Sequence, residues 1–256
     1  MIPADTPIIL AFLLAGTAMS VMVAVRYLMT SSVLAWVSSM VRPGLYSSRS
    51  KQIGMEVRYS LIAALIYGVP AGAVFWLWNH RGYSLLYTDW NAYPLWYLPL
   101  SVLIYLFVQD SWFYWSHRAM HASPTLFRAA HAVHHKSRPP TAWAAMSFHP
   151  WESLSGAIIV PILVFIVPIH LAMLGIVLTI ATIMAVLNHL GWEIFPQRLV
   201  HSPFGRWLIS ASHHEKHHED YGCNFGLYFR FWDRVCGTDK GLSKRIAPAE
   251  LKEANT

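Results

Sequence analysis

Eight histidines in three short blocks are the residues of this chain best suited to chemistry. The first block runs from His117 to His121, the second is His131-Ala-Val-His134-His135, and the third is His214-Glu-Lys-His217-His218. Residues three and four apart share a face of a helix. Each block is therefore expected to present its imidazoles together on one helical face. Imidazole binds iron, zinc, copper and nickel. Eight nitrogens exceed what one tetrahedral zinc takes, and they suit two metals. A lone His pair at this spacing is usually a surface or satisfied core group. Three blocks, all outside the apolar runs, argue for a shared metal site.

Two other chemistries fit part of this pattern. His214-Glu215-Lys216-His217-His218 satisfies His-Glu-x-x-His, the signature of a zinc metalloprotease with Glu as general base. That reading leaves the first two blocks without purpose. A non-enzymatic metal carrier is the other. Transporter ligands belong within spans near the membrane midplane, whereas these blocks fall at span ends or beyond. Cys223 and Cys236 provide no disulfide framework.

The elements that must position these histidines are those of a membrane protein. The chain is 55% hydrophobic and 12% charged, against about a quarter charged in soluble domains. The net charge of +6 suits basic segments flanking membrane spans better than it suits nucleic acid. Ile8 to Val25 is an uncharged run of about bilayer length. Asp5 precedes it and no basic leader or small-residue cleavage site stands out, so it reads as a retained span. A basic loop with Arg42, Arg49, Lys51 and Arg58 follows. Leu61 to Trp78 is the second run, with a kink expected at Pro70, and Ala92 to Gln109 is the third.

Ser123-Pro124 should break the helix of the first block, and Arg138-Pro139-Pro140 should end that of the second. Ser153 to Asn188 lacks Lys, Arg, Asp and Glu altogether. As helix it would measure about 54 Å, near twice the hydrocarbon thickness. With Val167-Pro168-Ile169 near its centre, it reads as a hairpin of two spans. The expectation is an all-α, polytopic bundle of about five spans with a histidine-rich helical cap, forming a single domain over 1–256. The Lys and Arg of the loops put the cap, and with it the three blocks, on the cytoplasmic side.

These residues resemble the fatty acid hydroxylase and sterol desaturase superfamily of membrane non-haem di-iron oxygenases. The resemblance covers roughly Asp110 to Lys240. It rests on Trp115-Ser116-His117-Arg118 with His121, on the second block, on Asn188-His189 and on His214 to His218. Asn224-Phe225-Gly226, Trp232-Asp233-Arg234 and Gly237-Thr238 fit as well. Pro140-Thr141, Phe148-His149-Pro150 and Ala211-Ser212-His213-His214 look most like the sterol C5-desaturase branch. The first 90 residues match nothing beyond being apolar. The resemblance implies two Fe ions, with zinc as a substitute on overexpression, and O2-dependent hydroxylation or desaturation of a lipid. Its ligand pattern carries over to His117, His121, His131, His134, His135, His214, His217 and His218. It adds His189, after the hairpin, and His149, with His213 as a stand-in beside the third block. It also implies a separate electron-transfer protein, and no haem-attachment or flavin-binding motif appears in the chain.

Each ligating His should donate its second ring N–H to an acceptor. Asp110, two turns before His117, and Glu193, one turn after His189, are the candidates. His80, His170 and His201 fall at turns or loops away from the blocks. Asn224 and Asp233 read as polar residues that fix the cap. Trp76, Trp78, Trp90, Tyr93 and Trp96 read as an interfacial belt. Sterol, fatty-acyl, sphingoid and carotenoid substrates are all compatible with these residues.

Overall fold

A computed structural model describes residues 6–246; Asp5 lies outside them. The fold is all-α. Its long helices are α1 (Ile8–Val41), α2 (Ser50–Arg81), α3 (Tyr97–Ala122), α5 (Pro150–Leu163) and α6 (Leu171–Asn188). Three short ones belong to the cap: α4 (Pro124–Leu126), α7 (Gln197–Val200) and α8 (Ala211–Glu219). A last short helix, α9 (Phe231–Val235), follows. Among the described residues α1, α2 and α6 are long and apolar enough to cross a membrane, while the hairpin arm α5 is a shorter apolar helix.

Helices α1 and α2 form an antiparallel pair held by small residues. A Cβ added at Gly68 would strike Ser20, and one at Gly72 would strike the backbone at Gly16. Such residues let helix backbones approach closely where both sides are lipid-like. Val102, Tyr105 and Leu106 of α3 pack with Ile159 and Leu163 of α5 and Val177 of α6. The expected hairpin is present, but only its second arm, α6, is long enough to span, since α5 has 14 residues. At its turn, β1 (Leu86–Tyr87) pairs in parallel with β2 (Ile169–His170), which ties the α2–α3 connection to the far end of the bundle. His170 caps α6 through Nδ1, which accepts from the Ala172 N–H at 3.1 Å.

Two expectations about the elements need correction. The basic stretch after the first run is mostly not a loop. Helix α1 continues to Val41 and α2 begins at Ser50, so Lys51 and Arg58 are helical. These first turns of α2 reach the cap, where Arg49 and Gln52 donate to Pro139 O at 3.2 and 2.9 Å. The second correction is that the second block is not one regular helix. Phe127–His131 is wound as a π-helix and His134–Lys136 as a 3-10 turn. Proline brackets this segment closely on both sides, and π winding is often found at functional sites.

Candidate metal centre

The second and third blocks each divide their imidazoles between two groups. His117, His121, His131, His135 and His217 form one; His134, His189, His214 and His218 form the other. In the second block His131 and His135 join the first group and His134 the second. In the third block His214 and His218 join the second group and His217 the first. The expectation that all the imidazoles of a block share one face therefore fails. Positions i and i+4 stay together, while i+3 points to the neighbouring group. The two groups adjoin: the rings of His135 and His218 are 4.8 Å apart, and those of His131 and His134 are 5.3 Å apart.

The nitrogens converge at hydrogen-bond distance, but the protons such bonds would need are committed elsewhere for part of the set. In the first group Nε2 of His117 lies 2.9 Å from Nε2 of His131, and His135 Nε2 is 3.0 to 3.1 Å from those of His131, His121 and His217. In the second, His189 Nε2 is 2.9 Å from His214 Nε2 and 3.2 Å from His134 Nε2, and His214 Nε2 is 3.1 Å from His218 Nε2. A neutral imidazole carries one N–H. His117 donates its Nδ1–H to Phe225 O at 2.9 Å and His131 donates to Glu152 Oε1 at 2.8 Å. Their facing Nε2 atoms are then both lone pairs, which repel unless a cation lies between them. Metal–nitrogen bonds of about 2.1 Å place neighbouring octahedral ligands roughly 3.0 Å apart, which matches these spacings. Burial, followed by nearby imidazoles, holds His134, His214, His217 and His218 well below the usual imidazole range. That is the neutral form a metal requires.

A strap from Cys223 to Phe229 orients much of the first group. His217 donates Nδ1–H to Cys223 O at 2.8 Å, beside the Phe225 carbonyl that serves His117. Asp233 fixes this strap by accepting the N–H groups of Phe225 and Gly226 at 2.8 and 2.9 Å. Asn224, at φ +57°, donates to His213 O and Gly241 O. Asp110 anchors the rest, since one carboxylate oxygen accepts from Leu227, Tyr228 and Phe229 at 2.7 to 3.1 Å. Asp110 thus acts on the strap and not, as expected, on a ligand's N–H. Glu193 also departs from expectation. It receives the Ser212 N–H and hydroxyl at 2.9 and 2.7 Å and so joins the segment after His189 to the start of α8. Gly191, at φ +71°, turns that segment where a Cβ would meet Pro140 O.

The structure brings nine of the ten candidate ligands together and leaves His149 out. His149 caps α5, its Nδ1 accepting from the Trp151 N–H at 3.4 Å. His213 is buried and faces Asp239 at 3.6 Å, outside both groups. Glu215 does not converge with the imidazoles; it pairs with Arg245, which does not suit the general base of the protease reading. Sequence reasoning missed Glu152, although a signal existed: it is the acid that bounds the charge-free stretch from Ser153 to Asn188.

One cavity runs from this centre into the bundle. Its walls come from α1, α2, α3, α5 and α6, and they include His134, His189 and His214 of the second group. No imidazole of the first group lines it. Along α6 it follows Asn188, Ala185, Ala181, Leu178, Leu174 and Leu171, so an apolar slot extends the length of that helix.

Comparison with known proteins agrees with this geometry. The sequence model of the fatty acid hydroxylase family matches residues 102–238. A Delta(7)-sterol 5(6)-desaturase of Gibberella zeae is 30% identical over 197 residues, covering 77% of this chain and 59% of its own. The lathosterol oxidase of Homo sapiens is 31% identical over 194 residues, covering 75% of this chain and 62% of its own. A C-4 methylsterol oxidase of Schizosaccharomyces pombe is 32% identical over 166 residues, covering 60% and 54%. The chain spans about three fifths of the length of the first two relatives. No solved structure matches.

Proposed function

The chain belongs to the fatty acid hydroxylase family, and from that premise we propose a membrane-embedded oxidoreductase that uses two irons and O2 to hydroxylate or desaturate a lipid of sterol or fatty-acyl type. One observation carries the reading: two adjoining imidazole groups, one of which opens on an apolar cavity between membrane-capable helices. Bound there, the irons would supply the redox chemistry that turns O2 against an unactivated C–H bond.

The chain's own residues do the rest. His117, His131, His189 and His217 are held in one tautomer by Phe225 O, Glu152, Ala185 O and Cys223 O. Their Nε2 lone pairs therefore face inward before any metal arrives. The cavity walls exclude water and accept a lipid directly from the bilayer. Extracting that lipid into water would cost about 0.8 kcal/mol per CH2, and a membrane-level site avoids it. Electrons come from a separate carrier protein. The imidazole-bearing side faces the cytoplasm, so a cysteine replacing Lys240 should resist an impermeant thiol reagent in intact cells that lack Cys236. Labelling there would reverse the orientation.

Lipid mass spectrometry under 18O2 tests the reaction. A hydroxylated product should carry one labelled atom, and an alkene product none. The same product formed without O2 would sink the proposal.

A further inference from the structure

Arg26 is the lone charged residue in the 34 residues of α1, a helix apolar enough to cross a membrane. An ionised side chain in such a helix is costly and normally faces a partner or a functional cavity. Arg26 does face the cavity. Its Nε donates to Thr182 Oγ1 of α6 at 2.8 Å, and the Thr182 hydroxyl donates onward to Leu178 O at 3.0 Å. That pair of contacts fixes the guanidinium. Among the described residues no carboxylate lies within ion-pair range of it.

Position gives this cation its meaning. Thr182 precedes His189 on α6 by two turns, or about 10 Å of helix. Beyond Thr182 the slot continues along Leu178, Leu174 and Leu171, with no further charge. The cation therefore stands between the imidazoles and the apolar depth. A lipid oxygen suits Arg26, and the carbon skeleton that runs from there toward the imidazoles then presents its C–H bonds to them.

We propose that Arg26, held by Thr182, is the head-group clamp of this cavity. It donates to the oxygen of a lipid hydroxyl or carboxyl group and so places the attacked carbon within about 10 Å of that oxygen. The inference rests on the lipid-oxidising reading of the cavity and adds which part of the lipid is recognised and by what. A guanidinium bond to an oxygen at low dielectric is strong, which gives it a measurable share of binding.

The test is equilibrium binding to the purified, iron-loaded chain in nanodiscs, without O2 or reductant. The probes are a radiolabelled long-chain fatty acid, a 3-hydroxysterol, and the oxygen-free analogue of each. Wild type should bind at least one oxygen-bearing probe about tenfold more tightly than its analogue. Arg26→Met should remove that difference, and Arg26→Lys should keep part of it. Iron content and Tm equal to wild type show that the variant is folded. The responding probe identifies the head as hydroxyl or carboxylate. Equal binding of a probe and its analogue by wild type would overturn the proposal, as would unchanged binding by folded Arg26→Met. Because no turnover is involved, failure here is distinct from failure of the oxygenase reading, which the 18O2 experiment decides.

Discussion

The two imidazole groups draw on the same sequence blocks, yet what surrounds them differs. The group of five is fixed from behind by Phe225 O, Cys223 O and Glu152, and its partly exposed member is His121, beside Tyr221. The group of four has one such contact, from His189 to Ala185 O at 2.6 Å. The Nδ1 atoms of His134 and His218 have no partner among the described residues, a condition that His135 alone shares in the group of five. This second group is the one that lines the cavity. Fewer imidazoles leave more open positions on a metal, and the cavity brings a substrate to that side. On the proposed reading, C–H chemistry belongs to the group of four and a supporting role to the group of five.

The largest effect should come from breaking the cavity-facing group. His214→Ala should bring lipid oxidation below detection, because His214 also spaces His189 and His218. Retained turnover, measured by product mass spectrometry, would move the chemistry elsewhere. Glu152→Gln acts on the other group. It keeps the shape and replaces the carboxyl group behind His131 by an amide, and loss of such an outer contact typically costs about 10- to 100-fold in metal affinity or activity. Iron retention during dialysis against a chelator would show it, and no change would make Glu152 a packing residue. The smallest effect belongs to Glu215→Gln. Glu215 stands outside both groups, so turnover should stay within about twofold of wild type. Total loss at normal iron content would overturn this assignment of the third block.

The histidines themselves were legible because imidazoles at i, i+3 and i+4 are conspicuous in a chain so poor in polar groups. Their division into two groups was not. His134 and His135 are neighbours in sequence, and which way each points depends on the irregular winding of the segment. The acceptors behind His117 and His217 were also hidden, since a backbone carbonyl has no residue signature. Asp110 and Glu193 were found as important carboxylates, but spacing along a helix could not show that both hold backbone and loop and not a ring nitrogen. Arg26 carries no signal in the sequence because it sits just past an apolar run that by itself has the length of a span, whereas α1 continues for four more turns. The hairpin was legible because a stretch free of charge and twice the membrane thickness has few other ways to fold.

Iron analysis of the purified, iron-loaded chain tests the central claim most directly. Wild type should hold about two irons per chain, one for each imidazole group, and His214→Ala about one. A single iron in wild type, or equal content in both proteins, would contradict the division of the nine imidazoles into two metal sites.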